Sequence, residues 1–360
     1  MPLLTGSKLE IVKKIVVYDG GAAYPGVAAA KNGDLLVSFR TAVELGPGGP
    51  GDLVPGAECF LTRSIDNGET WSHPRLMAKP RRKGWACSLS VGLHVLSDGT
   101  VLYPFYEGHD VTDVDREGIL YCYRSTDNGQ TWTNKDPIPC GLREPFAYGR
   151  IVELSDRILL PLWGSRVKGE RWRTGLLMSF DNGKTWPEYR TIAVDPDFKR
   201  GPGAGFNETS IIKLSGERLL AIIRQRGVGK HGWNFYRSVS DDGGNTWSKP
   251  ERLDLHGTSP SLHRTPSGRL IIGYRRHPVP GDEKPSACGV AISSSEDEGK
   301  TWREEIVLED PKGFKYEKTD YFSGYPAFEN LQDGTILAVF YSSDLKRGYY
   351  YIAANILREI

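Results

Sequence analysis

Three arginines stand at the ends of apolar segments, in the runs SFR, IIR and GYR that finish at Arg40, Arg224 and Arg275. Arginine presents a planar fork of N–H donors that suits a carboxylate. Three such forks brought to one place would bind an anionic ligand, and Arg276 is a further candidate beside them. The alternative is that each arginine forms a salt bridge between units, with a carboxylate on a third strand.

These arginines occupy equivalent positions in a sequence repeat. Each repeat contains a turn, and the residues seven positions after the turn anchor are Arg40, Tyr106, Gly164, Arg224, Arg275 and Tyr341. The residues nine positions before it are Tyr24, Ser90, Tyr148, Glu208, Ser259 and Tyr325. Because equivalent positions in a circular repeat converge, we expect Glu208 and Tyr325 to lie close together, with Tyr24 and Tyr148 beside them. The alternative is that the tyrosines at this position serve only to pack against their neighbours.

A second recurring motif has the form Ser-x-Asp-x-Gly-x-Thr-Trp. It reads SIDNGETW, STDNGQTW, SFDNGKTW, SDDGGNTW and SEDEGKTW, and its tryptophans are 61, 54, 61 and 55 residues apart (132−71, 186−132, 247−186 and 302−247). Asp side chains in such turns bind their own backbone, and the glycine supplies a positive φ. We interpret the five box aspartates as structural, with each tryptophan packing between sheets, rather than as metal ligands or catalytic groups.

The repeat predicts the fold. Six strand-turn-strand phrases, among them VAAAKNGDLLVSF and AFENLQDGTILAVF, accompany only five boxes. The interval between boxes accommodates four short strands, and the segment KLEIVKKIVVY at the N-terminus supplies the strand missing from the sixth unit. We therefore predict an all-β fold: a six-bladed β-propeller of four-stranded antiparallel blades, closed by the N-terminal strand, which leaves few exposed edges.

Five boxes, a Tyr-Pro pair near each end of the chain and a count of six units resemble the sialidase superfamily, also known as BNR or Asp-box proteins. The resemblance covers nearly the whole chain and implies one domain over residues 1–360. It implies a retaining exo-glycosidase that hydrolyses a terminal acidic sugar, either sialic acid or a related ulosonic or uronic acid. A shared fold does not by itself fix the reaction.

The resemblance also assigns roles. NETSIIKLSGERLLAIIR resembles the segment that holds the catalytic Glu and a carboxylate-binding Arg, here Glu208 and Arg224. GYPAFENLQDGTILAVFY resembles the segment of the nucleophilic Tyr, here Tyr325. A neutral phenol activated by a carboxylate base suits an anomeric carbon that bears a carboxylate, since an anionic nucleophile would be repelled. The family's general acid follows the first repeat phrase, where Asp52 is the first candidate and Glu58 the second.

The sequence departs from the family pattern in two places. The family's first arginine belongs to a Tyr-Arg-Ile-Pro phrase, but this chain reads Tyr24-Pro25. A third arginine is expected before the fifth box, and the segment KPSACGVAISSS contains none. Arg40, Arg275 and Arg276 are predicted to rebuild the anion site. Glu144 is a candidate sugar contact, and a loop ion pair is the alternative for it.

Two other functions remain open from the sequence. A polysaccharide lyase acting on a uronate would need an arginine or a metal at the carboxylate and no nucleophile. A non-catalytic carbohydrate-binding propeller would need neither the Glu208–Tyr325 pair nor a loop acid. In either case the partner is a small-molecule or glycan ligand.

Composition restricts the partners. The 360 residues carry 46 Lys plus Arg and 45 Asp plus Glu, a net charge of +1, which indicates neither nucleic acid nor an anionic membrane as partner. We expect no cofactor and no metal, because no zinc or calcium spacing is visible. The five scattered cysteines and the absence of a signal-peptide pattern favour a cytoplasmic protein, or a secreted one if a leader has been trimmed. The oligomeric state is not predicted.

Overall fold

A computed structural model describes residues 8–41, 51, 53–88, 91–112, 115–195, 204–226, 234–276, 289–309, 323–344 and 348–360. These residues form 24 β-strands and no helix. None of the described segments contains a helix long and apolar enough to cross a membrane. The all-β fold class predicted from the repeat is confirmed.

The strands are short and follow one another with little intervening chain. The first twelve are β1 Leu9–Tyr18, β2 Ala22–Ala29, β3 Leu35–Thr41, β4 Cys59–Ser64, β5 Arg75–Ala78, β6 Ala86–Ser88, β7 His94–Val95, β8 Val101–Thr112, β9 Asp115–Ser125, β10 Phe146–Ala147, β11 Val152–Glu153 and β12 Ile158–Gly164. The remaining twelve are β13 Arg173–Ser179, β14 Glu188–Val194, β15 Gly205–Lys213, β16 Leu219–Arg226, β17 Asn234–Ser240, β18 Glu251–Arg264, β19 Leu270–Arg276, β20 Gly289–Ser295, β21 Arg303–Glu309, β22 Gly324–Asn330, β23 Ile336–Asp344 and β24 Tyr349–Glu359.

Pairing of the strands is antiparallel throughout the ladders and mostly follows chain order. The sheets are β2-β3-β4-β5, then β6 and β7 on β8 with β9, then β10 and β11 on β12 with β13 and β14. A seven-stranded sheet runs from β15 to β21, and its long strand β18 pairs with β17 through its first half and with β19 through its second. The final sheet has the order β1-β24-β23-β22.

The N-terminal strand completes the last sheet, as the sequence predicts. β1 pairs antiparallel with β24, from Leu9 opposite Glu359 to Tyr18 opposite Ile352. Ile360 adds a main-chain hydrogen bond to the carbonyl of Lys8. The first and last strands of the described chain therefore form one ladder.

The second sheet contains four strands, of which β6 and β7 are short pieces that both pair with β8. Between β9 and β10 only two isolated bridges occur among the described residues, Leu120 to Ile138 and Arg124 to Thr133. The segment that carries them contains Pro137 and Pro139, which lack the N–H groups a ladder requires. The chain follows the sheet edge there without forming a regular strand.

The five boxes are turns built by their own side chains. In the first, the Ser64 hydroxyl donates to Asp66 Oδ1 at 2.7 Å, and the N–H of Thr70 donates to the same oxygen at 2.9 Å. Hydrogen bonds from Thr70, side chain first, lower the pKa of Asp66 to about 2. Gly68 has φ 88° and Asn67 φ 59°. The same bonds recur in the other four boxes, so the structural interpretation of the box aspartates is confirmed.

The glycine of each box lies close to a leucine of a different strand group. A Cβ added at the glycine would come within 3.9 Å of that leucine, which lies on another sheet or, for Gly299, in the other half of the seven-stranded sheet: Gly68 near Leu337, Gly129 near Leu36, Gly183 near Leu102, Gly244 near Leu159, and Gly299 near Leu220. Residues of β19 to β21 share an apolar cluster with β22 to β24, including Ile271, Val290, Ile336 and Phe340. The apolar contacts thus pass from sheet to sheet, and the first sheet also packs on the last.

Candidate active site

Five residues at one repeat position meet at a single place, and we call them the central cluster: Tyr24, Tyr148, Glu208, Ser259 and Tyr325. The Tyr325 ring lies 4.4 Å from that of Tyr24 and 5.8 Å from that of Tyr148, centroid to centroid. The Tyr325 hydroxyl donates to Glu208 Oε1 at 2.5 Å, and the Ser259 N–H donates to Glu208 Oε2 at 2.9 Å. The predicted convergence is confirmed for these residues, while Ser90 lies outside the described residues.

The backbone of the central cluster is strained. Tyr24, Glu208, Ser259 and Tyr325 have φ values of 58°, 20°, 57° and 54°, in a region that residues other than glycine seldom occupy. Each marks a bulge where the pairing register of its strand shifts. Such strain costs about 1–3 kcal/mol per residue and concentrates at functional sites. A bulge also redirects a side chain away from the strand's normal alternation.

Glu208 is the most densely bonded member of the central cluster. Besides Tyr325 and Ser259, it forms an ion pair with Arg224, whose Nη1 lies 2.7 Å from Glu208 Oε2. The hairpin of β15 and β16 places Arg224 opposite Asn207, directly beside Glu208. Only 3% of Glu208 and 8% of Arg224 is exposed, so the pair lies in a medium where electrostatic interactions are strong. A carboxylate that receives a phenol O–H is arranged to accept its proton.

Arg40 and Arg275 also lie at the central cluster. Arg40 is fully buried, stands over the Tyr24 ring at 4.7 Å, and donates to the carbonyls of Thr41, at 3.0 Å, and Gly51. Arg275 donates to Ser323, Thr258 and Tyr341. The acceptors named here are main-chain carbonyls and hydroxyls.

The interpretation of Arg276 as part of this cluster is corrected by the structure. Its Nη1 pairs with Glu304 Oε1 at 3.5 Å, and both side chains are about a quarter exposed. Successive side chains of a strand point to opposite faces. Because Arg275 faces the central cluster, its neighbour on β19 faces away from it.

Two tyrosines at the same repeat position have different environments. The Tyr148 hydroxyl donates to the main-chain carbonyl of Pro260 at 3.3 Å. Burial, followed by the charge of Glu208, raises the pKa of Tyr148 well above its ordinary value. Tyr325 instead donates directly to the carboxylate. Tyr148 and Tyr24 therefore pack around Tyr325, whose proton acceptor is also a base.

Glu144 lies in a separate group beside an aromatic stack, defined as Tyr106, Phe146, Trp163 and Trp172. Consecutive rings of the stack are 3.9, 4.3 and 4.6 Å apart. Glu144 Oε1 accepts from the Ser165 hydroxyl at 2.6 Å and the Trp172 indole at 3.0 Å. Burial raises the pKa of Glu144, although these two hydrogen bonds and Arg116 oppose the shift. The loop ion pair considered as the alternative is formed by Arg143, whose Nη2 lies 2.7 Å from Glu117 Oε1.

Sequence reasoning did not identify the aromatic stack. One sequence signal could have pointed to the stack: Tyr106 occupies the same repeat position as the arginines. Its ring lies against the backbone of β9, where a Cβ at Gly118 would come within 1.9 Å of Tyr106 Cζ. Trp172 has no counterpart in the repeat.

The predicted general acid, Asp52, lies outside the described residues. On either side of it, the Gly51 carbonyl accepts from Arg40, and Leu53 is buried in the same apolar cluster as Tyr24 and Tyr325. The second candidate, Glu58, is half-buried, and its main chain bonds to Thr41. The described part of the chain holds no group of three or more His, Cys, Asp or Glu residues able to bind a metal.

A cavity borders Tyr148 and Tyr325 and is lined mainly by Val27, Leu93, Arg150, Leu262 and Phe328. Arg150 pairs with Glu329 and donates to His94 Nδ1 at 3.1 Å. The charge at this side of the cavity is therefore already paired.

Comparison with known proteins gives one family match. The profile of the BNR repeat-like domain family matches residues 61–338. A sialidase from Paraclostridium sordellii is 28% identical over 172 residues, which cover 44% of this chain and 39% of that protein. The match thus spans well under half of the sialidase.

Solved structures share the fold over nearly the full chain. A protein of unknown function from Dyadobacter fermentans DSM 18053 is 23% identical, with 98% of this chain and 100% of that chain covered and a TM-score of 0.76. An α-L-arabinanase from Penicillium chrysogenum, complexed with arabinobiose, is 16% identical, with 96% and 98% covered and a TM-score of 0.63. At these identities the likeness concerns the fold alone.

Proposed function

Because the chain belongs to the BNR repeat-like family of the sialidase superfamily, we propose that it is a glycoside hydrolase that removes a terminal acidic sugar with retention of configuration. The observation that carries the proposal is the hydrogen bond of 2.5 Å from the Tyr325 hydroxyl to Glu208. A phenol is a poor nucleophile near neutral pH without a base. The central cluster supplies that base in contact with the phenol.

In the proposed reaction, Tyr325 Oη attacks the anomeric carbon while its proton passes to Glu208 Oε1. The bond from the anomeric carbon to the leaving oxygen breaks, and Asp52 donates a proton to that oxygen. Water then attacks the glycosyl-tyrosine, its proton goes to Asp52, and Glu208 returns its proton to the phenolate. Each step conserves protons and leaves the protein unchanged after one turnover.

Charge favours an acidic sugar. Arg40, Arg224 and Arg275 are all buried at the central cluster, and Arg224 pairs with Glu208. Guanidinium groups gathered at one place attract an anionic ligand. Arg224 is the candidate for contact with the ligand's carboxylate, since it also lies against the proposed base.

A neutral furanoside is the second candidate. Arg40 and Arg275 donate to acceptors within the protein, and the arabinanase shares the fold over almost its entire length. An arabinofuranoside therefore belongs beside the acidic sugars in any substrate panel.

We also infer that the sheets close into a six-bladed propeller. The inference is supported by the pairing of β1 with β24 and by the packing of each sheet on its neighbour. It places the central cluster at the axis, where the first strands of the blades meet.

The test is a panel of aryl glycosides of sialic, ulosonic and uronic acids and of arabinofuranose, with the first-formed anomer read by NMR. We expect hydrolysis of an acidic member with retention. In Tyr325→Phe, turnover should fall by about 10²-fold or more, since one hydroxyl is lost and binding is largely kept. Inversion, or full activity in Tyr325→Phe, would contradict the mechanism.

A further inference from the structure

Arg275 bonds to the segment that carries the proposed nucleophile and to the segment that donates to the proposed base. Its Nε donates to the Ser323 carbonyl at 2.7 Å, its Nη1 to Thr258 Oγ1 at 3.3 Å, and its Nη2 to the Tyr341 hydroxyl. Only 5% of Arg275 is exposed. The edge formed by Nε and Nη2, one of the two that a guanidinium offers to a carboxylate, is therefore occupied by protein acceptors.

Two of the three acceptors, Thr258 and Ser323, lie close in sequence to strained residues of the central cluster. Thr258 precedes Ser259, whose N–H donates to Glu208 at 2.9 Å. Ser323 lies two residues before Tyr325. A single side chain thus ties the segment that binds the base to the segment that carries the nucleophile, and both segments hold a positive φ.

Arg275 lies close to the segment that carries Tyr325. A Cβ at Gly324 would come within 2.5 Å of Arg275 Nη2 and 2.6 Å of Nε, so a larger residue next to Tyr325 would displace the guanidinium. The guanidinium carbon stands 5.6 Å from the ring centroid of Tyr325 and 5.5 Å from that of Tyr341. A cation at this distance stabilises negative charge that develops on the phenol ring.

We propose that Arg275 is a positioning residue that holds Tyr325 and Ser259 in register for proton transfer to Glu208, instead of a ligand for the substrate's carboxylate. The inference rests on the proposed function, because it assigns Arg275 to the same site. The buried arginines then have different roles, since Arg224 faces the base and the ligand whereas Arg275 fixes the nucleophile.

The test compares Arg275→Gln, Arg275→Lys and Arg224→Gln, with kcat, KM and the pH–rate profile measured on the substrate found for the wild type. In Arg275→Gln, kcat should fall about 10²-fold with KM changed less than about threefold. The acidic limb of its kcat/KM profile should move to higher pH, because a cation beside the catalytic pair is lost. Arg275→Lys should recover part of kcat, and Arg224→Gln should raise KM about tenfold or more.

Tyr341→Phe is a second test in case the arginine variants do not fold, because it removes only the hydroxyl that accepts from Arg275. Its kcat should fall severalfold with KM unchanged. If Arg275→Gln raises KM tenfold while kcat is kept, Arg275 is a substrate ligand and the proposal is overturned. Unchanged kcat in Arg275→Gln, or in Tyr341→Phe when the arginine variants do not fold, overturns it as well.

A readout without substrate separates this inference from the proposed function. With ¹³Cζ-labelled tyrosine, the NMR signal of Tyr325 is identified by its loss in Tyr325→Phe. Arg275→Lys should shift that signal, while the matched variant Arg276→Lys, on the opposite face of β19, should not. If the wild type hydrolyses none of the probes, the proposed function fails. An unshifted Tyr325 signal in Arg275→Lys would then overturn the positioning role separately.

Discussion

Glu208 and Glu144 are both buried beside aromatic rings, yet they are bonded in different ways. Glu208 receives a guanidinium, a phenol and a main-chain N–H. Glu144 receives a hydroxyl and an indole N–H, both neutral and both on the same oxygen. Charge-assisted hydrogen bonds are roughly twice as strong as neutral ones. Glu208 is thus bonded as a carboxylate, whereas burial of Glu144 favours its protonated form.

Backbone geometry differs between the two regions as well. Glu208 and three of its neighbours in the central cluster have positive φ, but no residue of the aromatic stack has a positive φ. Strain therefore coincides with an ion pair at Glu208, whereas the backbone at Glu144 is unstrained. We expect the first region to carry out the chemistry and the second to support it.

The largest expected effect is that of Glu208→Gln. Turnover should fall about 10²–10⁴-fold, because an amide cannot accept the phenol proton. The free energy of unfolding should fall by about 3–5 kcal/mol, since the buried guanidinium of Arg224 loses its carboxylate. Kinetics on the best substrate and chemical denaturation measure the two effects.

A double variant sharpens this result. Because Glu208 and Tyr325 act as one unit, Glu208→Gln combined with Tyr325→Phe should be scarcely less active than either single variant. Additive losses would show that the two residues act independently.

Glu144→Gln should have a smaller effect that depends on pH. The folded protein holds the Glu144 proton to higher pH than the unfolded chain, whose ordinary pKa is 4.5. In the wild type this group lowers the free energy of unfolding as pH rises from about 4.5 through the raised folded-state pKa. Denaturation curves at several pH values should show that this decline is missing in Glu144→Gln.

Turnover should distinguish Glu144→Gln from Glu208→Gln. Turnover of Glu144→Gln should stay well within the ~10²-fold loss that removal of a catalytic acid or base causes. A tenfold rise in KM would instead support Glu144 as a sugar contact, as the sequence suggested, and would weaken the comparison.

The smallest effect is expected from Tyr106→Phe. The Tyr106 hydroxyl is buried and has no hydrogen-bond partner among the residues that the structure describes. Removing an unsatisfied buried hydroxyl relieves a desolvation penalty of about 1–3 kcal/mol at most. The melting temperature should stay the same or rise slightly. A clear loss of stability would reveal a partner in the remainder of the chain.

The Glu208–Tyr325 contact could be predicted because both residues begin the first strand of a repeat unit. Repeat position specifies convergence without any knowledge of side-chain packing. The same logic placed Arg40, Arg224 and Arg275 at the cluster. Arg276 does not occupy that repeat position, and strand alternation alone would have excluded it from the cluster.

Hydrogen-bond partners that do not occupy a repeat position could not be predicted. Arg275 binds a main-chain carbonyl at Ser323, and sequence patterns do not report such acceptors. Trp172 reaches Glu144 from an irregular segment that no other unit shares. The irregular path of the chain after β9 was visible in Pro137 and Pro139, because proline cannot donate to a ladder.

The pairing of β1 with β24 joins the first and the last strands that the structure describes, so one partner is synthesised well before the other. At about 5–20 residues per second, Leu9 emerges roughly 20–70 seconds before its partner Glu359 is made. During that interval β1 has no strand to pair with, and its exposed Val12 and Val16 offer a place for a chaperone or for a strand of another chain. Joining the two ends through a short linker and opening the chain at another turn would shorten that wait, so a circular permutant should give a higher soluble yield at the same equilibrium stability.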